Sequence, residues 1–293
     1  MPLHQFIVDS LKTRRPAQPR AVVQLCMVAL CAWNAAACTS DEPSAAAMPA
    51  GARASASAAA TKPAFSLASS AGGNDGLAYR EDRAAATGTV AGTVKGAGPS
   101  PDTTIVPTHD LRACSQFTEP LYATADSGVG EAVVWLSGIG SGRENDAPRR
   151  VTLAMRDCRL SPRVVRVATG GTVILNSHDA VMVRLRFLDT DVPDSVRATV
   201  RMNDEGQVVP LSDATRTAGI VAVRDDLHPW VRGYLAVAPH PYVAVTEADG
   251  RFSFEGVPAG SYTLVVWHER FGTMSQPVTI TAGKESRVEV QVQ

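Results

Sequence analysis

Aromatic side chains are scarce in this 293-residue chain, at 5% of the residues, and no block of basic residues occurs. The 28 lysines and arginines nearly balance the 29 acids, which gives a formal net charge of −1. Nucleic-acid binding needs a clustered basic footprint, so the composition predicts no nucleic-acid partner. With 45% hydrophobic residues, a chain of this length can bury an ordinary core. Neither disulfides nor metals are obligatory for its folding.

Apolar runs long enough to span a bilayer, roughly 18–20 residues, are also missing. A shorter run, AVVQLCMVALCAW at 21–33, follows a basic segment and precedes small residues that end at Cys38. This order is typical of a signal peptide, which we place at residues 1–37. The sequence therefore predicts an exported protein.

The residues around Cys38 leave the mode of export open. AAAC (35–38) resembles a bacterial lipobox, in which the cysteine is lipidated, but Ala35 stands where Leu or another larger apolar residue is usual. Lipidation of Cys38 would anchor the protein to a membrane through its lipid, as a lipoprotein of the periplasm or outer membrane. The alternatives are ordinary cleavage after Ala37 with secretion, and an uncleaved anchor.

Residues 38–86 are rich in Ala, Ser, Gly and Pro and show no sustained apolar period. Such a segment cannot bury enough surface to offset its ordering entropy, so we expect a disordered tether. From Thr87 onward the chain consists of short Val-rich runs bounded by Gly, Pro, Asn or Asp. Most of these runs alternate apolar and polar residues, which predicts about twelve strands and an all-β fold of one or two sandwiches.

Three of the five cysteines lie in the leader, which leaves Cys114 and Cys158 in the exported part. Two cysteines in an oxidising compartment usually pair, so we predict a disulfide between them. Two free buried thiols are the alternative.

Three stretches of the chain resemble known families. EADGRFSFEGVPAGSYTLVVWHERFG (247–272) closely resembles the carboxypeptidase regulatory-like repeat, a transthyretin-like sandwich marked by DG-x-F-x-F-x-x-V-P-x-G-x-Y-x-L. CRLSPRVVRVATGGTVILNSHDAVMV (158–183) and DDLHPWVRGYLAVAPHPYVAVT (225–246) resemble the cupredoxin-like domain, of plastocyanin and azurin type, found with that repeat in exported bacterial proteins.

This resemblance implies Greek-key β-sandwiches, with the cupredoxin-like domain nested in or beside the regulatory-like sandwich. We expect the first strands of the regulatory-like sandwich at 87–149 and the cupredoxin-like domain at 150–240. The remainder of the carboxypeptidase regulatory-like domain is expected at 241–293.

Metal-binding cupredoxins hold copper with two His, a Cys and a weak axial Met, a set suited to electron transfer. The resemblance puts the first His position at Met182 and the Cys position at Asp225. It puts the Met position at Val231 and retains the second His as His228. Without a thiolate a blue-copper site cannot form, which implies a degenerate domain and no cofactor. A rebuilt copper site from His178, Met182, Asp225 and His228 is the alternative.

Motifs of catalysis are missing as well. His268-Glu269 lacks the second histidine of the zinc-protease motif H-E-x-x-H because Gly272 stands in its place. His109-Asp110 and His240-Pro241 have no G-x-S-x-G context that would support a Ser-His-Asp triad. The sequence therefore predicts no catalytic residue and no enzyme.

We expect a non-catalytic binding or scaffolding protein of the cell envelope, whose partner is an envelope protein or a glycan. One alternative is copper handling or electron transfer at a non-standard site. Another is carbohydrate binding, since the regulatory-like sandwich shares its fold with modules that stack sugars on exposed aromatic rings. The stacking candidates are Trp230, Trp267 and Tyr242, for each of which packing in the core is the other role open.

Overall fold

Strands make up almost all the regular structure of the protein, whose computed structural model describes residues 79–83, 85–122, 124–192 and 194–293. These ranges form 22 strands, β1 to β22, and one 3₁₀ helix, Asp213–Thr215. The all-β prediction is confirmed. The predicted signal peptide, Cys38 and nearly all of the predicted tether lie outside the described residues. Within the described ranges, no helix is long and apolar enough to cross a membrane.

Nine strands form a two-sheet sandwich, which we call the central sandwich. One sheet has the order β10-β9-β12-β15 and the other the order β11-β17-β16-β13-β14. The strands are β9 (Arg150–Arg156), β10 (Arg159–Ser161), β11 (Val164–Ala168), β12 (Thr172–Ser177), β13 (Val183–Asp189), β14 (Val196–Met202), β15 (Val208–Leu211), β16 (Gly219–Asp225) and β17 (Arg232–Ala238).

A second sandwich, the flanking sandwich, combines strands from before and after the central one. Its sheets are β18-β7-β20-β21 and β19-β2-β6-β5, with β22 also paired to β2. The strands are β2 (Thr87–Lys95), β5 (Thr124–Ala125), β6 (Gly128–Val129), β7 (Val133–Ser137), β18 (Val243–Val245), β19 (Arg251–Pro258), β20 (Gly260–His268), β21 (Gly272–Ile280) and β22 (Glu285–Gln291).

Four short strands lie outside the two sandwiches. β1 (Arg80–Glu81) pairs with β8 (Ser141–Gly142), and β3 (Asp102–Ile105) pairs with β4 (Phe117–Pro120). The chain between β3 and β4, residues 106–116, is called the cover loop below because it reaches the central sandwich.

Alternation of side chains determines which face each strand buries. In β13, Val183, Leu185 and Phe187 are fully buried, whereas Arg184 between them is exposed. The predicted hairpin at 248–251 is instead a turn that leads from β18 in one sheet to β19 in the other, and it contains Gly250, whose φ is +79°. A Cβ there would lie 2.1 Å from the carbonyl oxygen of Val94, so only glycine fits this turn.

Four sheets stack face to face and enclose three cores. One core fills the central sandwich and a second fills the flanking sandwich. A third lies between the sandwiches, where Ile220 and Ala236 of the central sandwich pack with Val133 and Val265 of the flanking one. The two inner sheets are therefore buried on both faces along this contact.

Candidate functional site

A buried histidine, His228, occupies the turn after β16 and is 0% exposed. Both of its ring nitrogens contact carboxylates: Nδ1 contacts Oδ2 of Asp225, and Nε2 lies 2.9 Å from Oδ2 of Asp110. A main-chain bond of 2.9 Å from the Val231 N–H to the His228 carbonyl closes the turn. Asp110, Asp225 and His228 are called the histidine clamp below.

Asp225 is the inner carboxylate of the clamp, and its side chain is 0% exposed. Besides His228, its carboxylate accepts hydrogen bonds from the N–H of Arg184 at 2.7 Å and of Leu227 at 3.3 Å. A buried carboxylate is tolerated only when paired and hydrogen-bonded in this way. Asp225 therefore serves as a fully bonded structural anchor of the turn.

The cover loop supplies the outer carboxylate, Asp110. Its turn is closed by N–H groups of Ala113 and Cys114, each 2.8 Å from the Asp110 carbonyl oxygen. The predicted disulfide is confirmed: Cys114 and Cys158 are bonded, with their Cα atoms 5.5 Å apart. Because Cys158 lies in the central sandwich, the disulfide fixes the loop over His228.

Two side chains hold the other end of this disulfide. The Trp230 indole N–H donates to the Cys158 carbonyl at 3.2 Å, and its ring meets the His228 ring edge-on at 5.2 Å. The Asp179 carboxylate accepts from the N–H groups of Asp157 and Cys158 at 2.9 and 2.8 Å. These bonds secure a turn in which both donors have positive φ.

The chemistry of the clamp opposes metal binding at His228. Ionised carboxylates accept hydrogen bonds and cannot donate them. Both imidazole nitrogens already contact a carboxylate oxygen, so a metal could reach His228 only by displacing one of these contacts. Across the described ranges, no group of three or more His, Cys, Asp or Glu side chains is arranged to hold a metal ion.

The predicted ligand positions separate in the structure. Asp225 and His228 are in contact, but Met182 is 47% exposed and Val231 is buried in the core of the central sandwich. His178 is half-buried, and its N–H donates to the Met155 carbonyl at 2.8 Å. The third member of the clamp, Asp110, was missed because its dyad with His109 carries no motif.

The comparisons with known proteins agree with one part of the resemblance. Residues 234–293 match the family described as carboxypeptidase regulatory-like domain. The match begins inside β17, seven residues before the predicted boundary at 241. No curated protein matches the chain.

Solved structures similar to the chain include an amicyanin and a purple cupredoxin. An amicyanin from Paracoccus versutus is 19% identical and covers 32% of this chain and 84% of its own, with a TM-score of 0.27. A purple cupredoxin from Nitrosopumilus maritimus is 15% identical and covers 30% of this chain and 99% of its own, with a TM-score of 0.25.

The aromatic candidates for sugar stacking lie in different surroundings. Tyr242 is fully buried in the flanking sandwich, and its hydroxyl donates to the Gly256 carbonyl at 2.6 Å. It presents no face to a sugar, which corrects its assignment as a stacking residue. Trp230 and Trp267 are half-buried and pack against the central core and the shared core, respectively.

A groove of about 460 Å³ lies where the two sandwiches meet the β3–β4 hairpin. On its floor, Arg163 is paired with Glu131 and Glu269, and Arg232 lies 3.5 Å from Glu119. Burial would raise the pKa of Glu269, but its pairing with Arg163 and Arg232 outweighs burial and holds the pKa below its usual value. These ion pairs connect the two sandwiches.

Two other histidines are buried without carboxylate partners. His240 is 3% exposed and neither ring nitrogen has a hydrogen-bond partner. His268 is 1% exposed, and its Nδ1 accepts from the Arg270 N–H at 3.2 Å while Nε2 has no partner. Burial lowers the pKa of each imidazole to about 4, so both are neutral at pH 7.

Proposed function

We propose that this chain is a non-catalytic binding or scaffolding protein of the bacterial cell envelope, without a resident cofactor. The observation that carries the proposal is the histidine clamp. The retained ligand histidine has both nitrogens engaged by carboxylates, and a disulfide holds the cover loop over it. Export through the leader at 1–37, with or without a lipid on Cys38, is part of this proposal.

Metal content and copper titration of the purified protein test the absence of a cofactor. We expect no metal after purification and no stoichiometric copper binding. The same measurements are made on two variants, His228→Ala and His178→Ala. His178→Ala is the matched control, because it removes a predicted ligand outside the clamp. Tight stoichiometric copper that only His228→Ala abolishes would support copper handling instead and would end the proposal.

A second experiment tests the ligand positions directly. Asp225→Cys restores the missing thiolate but leaves Met182 and Val231 in the other two positions. We expect no intense thiolate-to-copper absorption band from this variant when copper is added, because His228 would be its sole additional ligand from the set. A blue chromophore in the single variant would contradict the assigned positions.

A further inference from the structure

Arginines form a regular group on the sheet β11-β17-β16-β13-β14. Its register places Arg184 opposite Arg201, and Arg186 opposite Arg224. Directly opposite residues share one face of a sheet, with Cβ atoms about 5 Å apart. Because Leu185 points into the core of the central sandwich, these four side chains lie on the other face. We call them the arginine face.

The arginine face is open to solvent. The shared core between the sandwiches includes buried residues of β11, β16 and β17 but none of β14. The Arg184 and Arg186 side chains are 49% and 40% exposed, and Arg201 is also exposed.

Acidic partners are too few to neutralise this face. Asp226 lies 3.1 Å from Arg184 and 2.6 Å from Arg186. Arg224 bonds to the Tyr234 hydroxyl, and Arg201 makes no ion pair with any residue that the structure describes. Four cations therefore share one carboxylate, in a protein whose overall charge is close to zero.

Like charges directly opposite one another destabilise a sheet. Two such pairs lie side by side here, and packing accounts for one member, since Arg224 is half-buried and bonds to the Tyr234 hydroxyl in the shared core. A guanidinium fork binds a carboxylate or sulfate through two parallel hydrogen bonds. The exposed Arg184, Arg186 and Arg201 are therefore available to an anionic ligand.

On one side the arginine face adjoins the shared core, in which the Tyr234 ring is 5% exposed. The Arg224 guanidinium lies 4.6 Å from the centre of the Tyr234 ring, which meets the half-buried Trp267 ring at 4.9 Å. A row of regularly spaced, exposed cations fits a linear polymer that repeats a carboxylate on successive rings. We infer that the arginine face binds an acidic polysaccharide, which names the partner class within the proposed function and rests on it.

Binding of the full chain to polygalacturonate, with neutral dextran as the comparison polymer, tests this inference. The test variant is Arg184→Ala/Arg186→Ala/Arg201→Ala. The matched control, Arg83→Ala/Arg216→Ala/Arg287→Ala, removes the same charge from side chains that are 76%, 76% and 85% exposed elsewhere. We expect the test variant to raise the Kd for polygalacturonate about tenfold or more. The control should stay close to wild type, and dextran should not bind.

Three outcomes would overturn the inference: no binding of wild type to polygalacturonate at low salt, equal weakening by both triple variants, or binding to phosphatidylglycerol vesicles without binding to the polymer. Thermal unfolding separates loss of binding from loss of folding: the test variant loses two ion pairs with Asp226 as well as like-charge contacts, so its unfolding temperature should stay close to that of the control variant. A polysaccharide result of either sign leaves the copper titration unaffected, so failure of this inference is distinguishable from failure of the proposed function.

Discussion

His228 and His240 are both almost fully buried, yet the surroundings of their ring nitrogens differ. His228 lies between two carboxylates, whereas His240 has no hydrogen-bond partner on either nitrogen. Burial alone favours the neutral ring, as at His240, and opposing charges favour the cationic ring. The comparison teaches that burial alone does not show which histidine to test as a metal ligand. The groups in contact with its ring nitrogens do.

Acidification should have the largest effect on the free energy of unfolding. It acts through the buried histidines that lack a carboxylate partner, His240 and His268. Between pH 6.5 and about 4, unfolded His240 and His268 bind protons that the folded chain does not, so the free energy of unfolding falls as the pH drops. Each site contributes a loss of about 3 kcal/mol at pH 4 relative to pH 7. Urea titrations at the two pH values measure the loss.

His240→Phe keeps a ring in the same space and removes one of the two titrating groups. We expect this variant to lose about half of that pH dependence. Its free energy of unfolding at pH 7 should be no smaller than that of wild type. An unchanged pH dependence in this variant would show that His240 is not the group responsible.

Removing the clamped histidine should have the next largest effect. His228→Ala leaves the buried Asp225 carboxylate without its side-chain partner, and removing one member of a buried pair costs about 3–5 kcal/mol. His178→Ala, at a half-buried ring, should cost less than about 1 kcal/mol. Urea unfolding at pH 7 compares the two variants, and equal losses in the free energy of unfolding would argue against a stabilising role for the histidine clamp.

Loss of the disulfide tests how the outer carboxylate is held. Cys114→Ser/Cys158→Ser removes a cross-link between residues 44 apart, which lowers the free energy of unfolding by about 2–4 kcal/mol. Because the cover loop is then free, we also expect faster amide hydrogen exchange at 106–116. Unchanged exchange there would mean that Asp110 and His228 hold the loop without the disulfide.

The smallest effect is expected at Asp110 itself. Its side chain is 51% exposed, so solvent weakens its attraction to His228. Asp110→Asn should therefore cost about 0.5–1 kcal/mol in urea unfolding at pH 7. A loss as large as that of His228→Ala would mean that His228 stabilises the protein mainly through its contact with Asp110 and not through its contact with Asp225.

Local patterns in the sequence were enough to predict the all-β fold, and the oxidising compartment was enough to predict the disulfide, but about twelve strands were predicted where the described residues form 22. β13 shows why the fold class could be predicted, since its alternating Val, Arg and Leu determine one buried face without knowledge of its neighbours. Asp110 could not be predicted in this way, because it reaches His228 across 118 positions of the chain. Tyr242 was misassigned for a related reason: a strand pattern does not reveal that a hydroxyl has a buried carbonyl as partner.

The pairing of β2 with β22 has a mechanical consequence. The two strands run parallel, and seven residue pairs from Thr89–Glu285 to Lys95–Gln291 hold them together. A pull on the chain before β2, directed against a pull on the chain after β22, loads these pairs in shear. Their hydrogen bonds must then break together, so the unit resists stretching along this axis far better than a hairpin that unzips bond by bond.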